Sequence, residues 1–383
     1  MTRQAGSSKL LRAMNESAAL AHLIDPGMLT RADLRRLTAL STPTISEVLR
    51  RLTDAGLVGV VAHQPRRRPG PNAEIYAANP DAAYAAAISV RDVGQGDGPS
   101  VAAALCDLTG ATKARFECEA DFRRTEPETV LSDVLGRLRD EAGAAKVRHV
   151  QVGISGSYDA RTATIRHTEV PGFGRPGLLP DLNLTLGTTV GVDNDVNLAA
   201  IAERRHGAGR GSDGFALLWL GDEGLGLAID IGGTLLRGAR GGAGEIGYMP
   251  LSTLGGQDLQ DVVGGPAVLA LGHAHGFSGR TPQEVVSNAE PGAFFTELAD
   301  RVSVGLAAVI AVLDPSLVVL AGQVGRAGGP VLRDAVRAAM RDAAPLESAI
   351  EVTGIDDDAV LLGALDAGLS TVREQLISQI RDS

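Results

Sequence analysis

The spacing of apolar residues changes along the chain, from a helical period near the start to short runs broken by glycine turns afterwards. Thr30-Arg31-Ala32-Asp33 has the form of a capping box, a hydroxyl three residues ahead of a carboxylate, and predicts a short helix through Ala39. Ser41-Thr42-Pro43-Thr44 predicts a second start, with a hydroxyl as N-cap and a proline in the first turn, where its missing N–H costs nothing. In that second helix Ile45, Val48, Leu49 and Leu52 fall on one stripe, so Thr44, Ser46, Glu47, Arg50 and Arg51 face outwards. Gly56 can end it. Leu57–Ala62 and Glu74–Ala78 read as strands that bracket Pro65-Arg66-Arg67-Arg68-Pro69-Gly70-Pro71, a stiff basic segment.

After Asn79-Pro80-Asp81 the pattern becomes that of strands and helices in alternation. Residues 85–90, 101–107 and 114–119 read as a three-strand meander, and 126–142 as a helix with Val130, Leu131, Val134, Leu135 and Leu138 on one face. Residues 149–154 and 188–192 read as buried strands. The first leads into the turn Ser155-Gly156-Ser157, the second into Asp193-Asn194-Asp195 and a helix from Val196 to His206. Strands follow at 215–220 and 225–231, then several helices. This order predicts an α/β architecture with helices covering the sheet, in two similar lobes with a cleft between them.

Charge separates the same two parts. Residues 1–80 hold 11 Lys and Arg against 6 Asp and Glu, whereas the whole chain has 36 against 46, leaving 25 against 40 for residues 81–383. An acidic protein meets a polyanion only where its cations are gathered. The helix pair, the cap-proline start and the basic segment together predict a winged helix-turn-helix over residues 1–80, with a double-stranded DNA operator as partner. Thr42, Thr44, Ser46, Glu47, Arg50 and Arg51 would lie at the major groove, and Arg66, Arg67 and Arg68 would reach the minor groove or its phosphates. The chain has 48 glycines and 12 aromatic residues among Phe, Tyr and Trp, so its core is built from Ala, Val, Leu and Ile. Two cysteines, Cys106 and Cys118, are too few for a disulfide framework or a thiolate metal site. With no apolar run of 18 residues and no signal-peptide pattern, the expectation is a soluble cytoplasmic protein without membrane contact.

Asp193-Asn194-Asp195 stands where a strand gives way to a helix, the place where open α/β sheets put ligand-binding groups. Either these side chains cap the next helix, or they meet a polyhydroxylated ligand. The run from Val192 to Ala200, with Glu203 and Gly207-Ala208-Gly209-Arg210-Gly211 beyond it, resembles the ROK family of repressors, open reading frames and sugar kinases. Gly241–Tyr248 is similar to that family's second signature, and Leu313-Asp314-Pro315, Val318–Gly322 and Asp357–Ala364 to its C-terminal segments. Together with residues 9–80 the chain looks like the repressor branch. The resemblance implies a two-lobed ribonuclease-H-like, actin-like sugar-kinase fold over residues 81–383, a sugar held by Asn194, Asp195, Glu245 and Tyr248, and Asp195 as the base in kinase members.

Several positions depart from the kinase pattern. The first hairpin, Ile88–Gly94, lacks the glycine pair that cradles ATP phosphates in the family. The second phosphate loop reads Leu220-Gly221-Asp222-Glu223-Gly224-Leu225-Gly226, which brings two carboxylates where a triphosphate would sit. Tyr248 replaces the family's zinc-site histidine, Leu251–Asp261 contain no cysteine, and Gln260 stands where a second sugar-binding glutamate is expected. His273 and His275 read as surface residues. Asp230-Ile231-Gly232-Gly233-Thr234 spells the ATP-phosphate motif, but late in the domain, and is expected to be a glycine turn. The expectation is therefore a sugar-sensing DNA-binding repressor, a homodimer or homotetramer, without kinase activity, cofactor or metal. Two alternatives share the motifs: a regulator that no longer binds sugar, and an ATP-dependent sugar kinase that also binds DNA.

Overall fold

The computed structural model describes residues 3–24, 27–64, 72–91, 100–144, 146–251, 256–343, 348–355 and 358–382. It opens with helix α1 (Arg3–Ile24), which the sequence pattern did not announce. Strand β1 (Leu29–Thr30), α2 (Arg31–Thr38), α3 (Thr42–Asp54), β2 (Val58–Gln64) and β3 (Ala73–Ala78) complete the N-terminal part, with the strands in the order β1-β3-β2. Both predicted helix starts are present. Thr30 Oγ1 accepts from the Asp33 amide while Asp33 accepts from the Thr30 amide, and Ser41 Oγ accepts from the Thr44 amide. Ile45, Val48, Leu49 and Leu52 are all buried.

The first lobe holds β4 (Tyr84–Val90), β5 (Val101–Asp107), β6 (Thr112–Cys118), α4 (Pro127–Ala142), β7 (Val147–Ile154), β8 (Ser157–Asp159), β9 (Thr164–Arg166), α5 (Leu178–Leu186) and β10 (Thr189–Asn194). Helix α6 (Asp195–His206) leads to the second lobe: β11 (Gly214–Leu220), β12 (Leu225–Ile231), β13 (Thr234–Leu235), β14 (Pro250–Leu251), β15 (Gln257–Asp258), α7 (Gln260–Val263), α8 (Gly265–Ala274), α9 (Pro282–Asn288), α10 (Ala293–Leu313), β16 (Leu317–Ala321), α11 (Gly322–Ala343, kinked at Gly329) and β17 (Ala349–Val352). The chain's last described helix is α12 (Ala359–Asp382).

The main sheets are β10-β7-β4-β5-β6 and β13-β12-β11-β16-β17. In each, an antiparallel meander is extended by two parallel strands, so the two lobes repeat one topology. Every residue of β4 is buried, because both faces of its sheet are covered. Ala86 and Ile88 face the cluster under α4 and α5. Ala85 and Ala87 face α12, in a cluster that also takes in α6 and the Phe215–Leu217 side of the second sheet. The helix pair α6 and α12 thus lies between the two sheets. Their backbones approach closely at Gly363, where a Cβ would overlap the Leu198 carbonyl.

The cluster between the sheets does not stop at the lobes. It continues through Leu376, Ile377 and Ile380 of α12 into Leu20 and Leu23 of α1 and Leu49 and Leu52 of α3. The N-terminal helices therefore share a core with the C-terminal one.

Candidate functional site

Strands β7 and β10 are parallel neighbours and end side by side at Ile154 and Asn194, so the cleft begins at their carboxyl ends. Asn194 is the N-cap of α6: its Oδ1 accepts from the amides of Val196 (2.9 Å) and Asn197 (3.1 Å). Its Nδ2 donates to the Gly156 carbonyl at 3.1 Å, which ties the end of β10 to the Ser155-Gly156-Ser157 turn. Of the two uses foreseen for this run, capping is thus present in Asn194. Asp193 accepts from Arg237 Nη2 at 2.6 Å, a bridge to the segment after β13.

Asp195, the first residue of α6, accepts from the Val196 amide at 2.8 Å. Part of its surface stays open, yet the carboxyl is deep enough that desolvation, with the Glu245 charge adding to it, pushes its pKa up to about 6. Glu245 accepts a hydrogen bond from the Ser157 hydroxyl. Three residues on, Tyr248 is 60% exposed and its hydroxyl lies 3.4 Å from His167 Nδ1, the two rings tilted with centroids 5.4 Å apart. Asn194 is thus tied to the Gly156 turn, Asp195 and Ser157 lie near Glu245, and Tyr248 lies beside His167. A carboxyl that titrates near 6 is largely ionised at pH 7 and can accept a proton from a hydroxyl placed against it.

Two residues singled out by the sequence have fixed partners. Asp222 accepts from the Gln283 amide at 3.0 Å at the start of α9, which fixes its position, and burial pushes its pKa up. Gln260 is a brace, its Oε1 accepting from the Leu225 amide at 2.9 Å and its Nε2 donating to the Glu223 carbonyl at 3.3 Å. At the first hairpin, Arg91 is bonded to Asp358 Oδ2 (2.5 Å) and Glu117 Oε1 (2.8 Å); positions 92–94 lie outside the described residues. Glu203, in the family-like run after Asp195, is fully buried and accepts from the Ala208 amide at 2.7 Å and the Gly354 amide at 3.3 Å, a structural use.

Asp230-Ile231-Gly232-Gly233-Thr234 forms the turn expected of it. Ile231 pairs with Thr234 across a two-residue hairpin in which Gly232 and Gly233 take φ of 60° and 83°. Asp230 is buried against Arg204 rather than turned to a ligand. His273 bonds the Gly279 carbonyl and His275 bonds Glu297. Among the described residues no group of three or more His, Cys, Asp or Glu is placed to hold a metal ion.

On α3, Thr42, Glu47 and Arg50 are exposed and Thr44 and Ser46 half-buried on the outer face. Thr42 Oγ1 accepts from Arg35 at 3.2 Å, and the Thr44 and Ser41 hydroxyls are 2.7 Å apart. Arg51 departs from expectation. It faces the protein, with Nε 3.1 Å from the buried Glu16 and Nη2 donating to the Ile380 carbonyl at 2.7 Å. The stripe counted from residue 45 places it outwards, but the count did not include α1 and α12, which cover that flank. Arg66, Arg67 and Arg68 lie outside the described residues. Ser157 stood in a turn the sequence marked, so it was findable; His167 carries no sequence signal, and only the fold brings it to Tyr248.

Among curated proteins, the chain is 31% identical over 192 residues to the bifunctional enzyme NanE/NanK of Brucella suis, covering 48% of this chain and 36% of that one. It is 30% identical over 213 residues to a glucokinase of Halalkalibacterium halodurans, covering 48% and 64%. The chain thus spans less than two thirds of the length of these relatives. Among solved structures, a ROK family transcriptional regulator, homolog of the E. coli MLC protein, superimposes with a TM-score of 0.78 at 17% identity, over 97% of this chain and all of that one. At that identity the likeness concerns the fold: a two-lobed kinase-like architecture with the N-terminal helices included. The kinase relatives overturn the expectation of a protein without enzymatic activity. A profile described as ROK family matches residues 92–368, more than half of the chain, and the protein belongs to the ROK family.

Proposed function

We propose that the protein is a sequence-specific transcriptional regulator, a repressor, whose ROK domain binds a sugar or sugar derivative in the cleft. The observation that carries this reading is the outer face of α3: a doubly capped helix pair on a three-strand sheet presents Thr42, Thr44, Ser46, Glu47 and Arg50 to solvent. Residues 1–80 form the DNA-binding part and residues 81–383 the effector part, with Asn194, Asp195, Glu245 and Tyr248 as the sugar-facing set. Two heads in a dimer or tetramer would read two half-sites, so a sugar that shifts the lobes would change their spacing and release the operator. Such a protein works in the cytoplasm. No helix among the described residues is long and apolar enough to cross a membrane.

The experiment is selection of duplexes from a random pool, followed by gel shift of the selected sequence with glucose, mannose and N-acetylglucosamine titrated in. Selection of a shared motif, and its release by one of these sugars, is the expected outcome. A pool that returns no motif removes the DNA-binding half of the proposal, and a motif that no sugar releases removes the sensing half.

A second reading, ATP-dependent sugar phosphorylation by the same cleft, is favoured by Asp195, whose carboxyl near 6 suits a general base. ADP release with the same three sugars tests it. Turnover that vanishes in Asp195→Asn supports it, and no ADP release from any of them refutes it for those sugars.

A further inference from the structure

The outer face of α3 carries a closed group of three charged side chains. Arg50 Nε donates to Glu47 Oε2 at 3.0 Å and Nη2 to Glu47 Oε1 at 2.6 Å, a two-point fork. Its Nη1 donates to Asp54 Oδ2 at 2.7 Å. All three side chains are more than half exposed, at 59%, 56% and 64% of their surface, so no core requirement put them there. Two carboxylates for one guanidinium leave a net negative charge on the helix face proposed to meet a polyanion. That arrangement opposes indiscriminate docking on phosphates.

The geometry also says what can replace it. A phosphate can also take the guanidinium's fork, but as an anion it is repelled by the two carboxylates that hold Arg50, whereas a neutral base edge is not. A guanine edge in the major groove offers N7 and O6, a planar pair of the same kind. We propose that Glu47 and Asp54 are specificity-determining residues that reserve Arg50 for guanine and suppress binding to unrelated DNA. This rests on the reading of α3 as the recognition helix.

The test is fluorescence anisotropy of the full chain with a random-sequence 24-base-pair duplex across a salt series, and a parallel selection from a random pool, for the original chain, Glu47→Gln with Asp54→Asn, and Arg50→Lys. The double variant is expected to bind the random duplex about 3- to 10-fold tighter at low salt. Its selected motif loses preference at the guanine positions that the original chain selects. Arg50→Lys, which keeps the charge but not the fork, loses the same preference while its random-duplex affinity stays within about twofold. All three side chains are exposed, so the variants are expected to fold, and a melting curve checks this. Random-duplex affinity unchanged or weakened in a folded double variant overturns the proposal while the recognition helix stands. An original chain that binds neither duplex nor pool overturns the recognition-helix reading, and the proposal with it.

Discussion

Arg51 of α3 donates to the main-chain carbonyl of Ile380 at 2.7 Å, across 329 residues of sequence, while its Nε faces Glu16 of α1 at 3.1 Å. One side chain thus joins the proposed recognition helix to both ends of the described chain. Glu16 is 1% exposed, and burial raises its pKa, with Arg51 and Arg12 opposing that rise. Its second carboxylate oxygen has no hydrogen-bond partner among the described residues, so Arg51 is its principal compensation.

Arg51→Met keeps much of the apolar stem and removes the charge. It is expected to destabilise the chain by about 3 kcal/mol, because a buried carboxylate loses its partner. Urea unfolding at pH 7.5 measures this. A midpoint equal to that of the original chain would show that Arg51 does not hold the helices together.

Asp195 gives a pH-dependent test. Its folded pKa of about 6 lies above the ordinary 3.8, so between these values the folded chain keeps a proton that the unfolded chain releases. The contribution is fully present below about pH 4 and is lost as pH rises through about 6. Asp195→Asn cannot ionise. It should match the original chain near pH 4 and exceed its stability at pH 8 by about 1–3 kcal/mol. Denaturation curves at the two pH values decide the matter, and a gap that does not change with pH would contradict the burial of the carboxyl.

Gln260→Glu restores the residue that the family resemblance leads one to expect. The acceptor for the Leu225 amide survives, but the donor to the Glu223 carbonyl is replaced by a second negative acceptor. The cost should be about 1 kcal/mol. Thermal melting reads it, and a variant that melts at or above the original temperature would show that the amide is not a brace.

Two glycine substitutions are expected to act with opposite signs. Gly363→Ala forces a methyl into the Leu198 carbonyl and should cost about 1–3 kcal/mol by pushing α12 away from α6. Gly136→Ala, inside α4 with open space around it, should be neutral or stabilise by up to about 1 kcal/mol through helix propensity. Equal effects in calorimetry would contradict the close helix crossing.

Much of the architecture was legible because local rules and the fold agree. The Thr30 box and the Ser41 cap are short-range devices, and the stripe from Ile45 to Leu52 needs only a helical period. The family-like run at Asp193–Asn197 contains the cap of α6, one of the two uses the sequence left open for it. Helix α1 was missed because Leu10, Leu11 and Met14 are exposed and blur its apolar stripe. Arg51 faces inwards for another reason: its partners Glu16 and Ile380 lie 35 and 329 residues away, and spacing along one helix cannot reveal a neighbour supplied by a distant one.

Helix α12 is 24 residues long, about 36 Å from end to end; Asp358, just before it, bonds Arg91, and Ile380 near its end bonds Arg51. Residues 1–80 are therefore expected to lose stability when cut from the rest of the chain. Cut free, they would bare the oily flank of Leu20, Leu23, Leu49 and Leu52 that the final two turns of α12 now roof, and a protein expressed without those turns would be a poor stand-in for the intact chain.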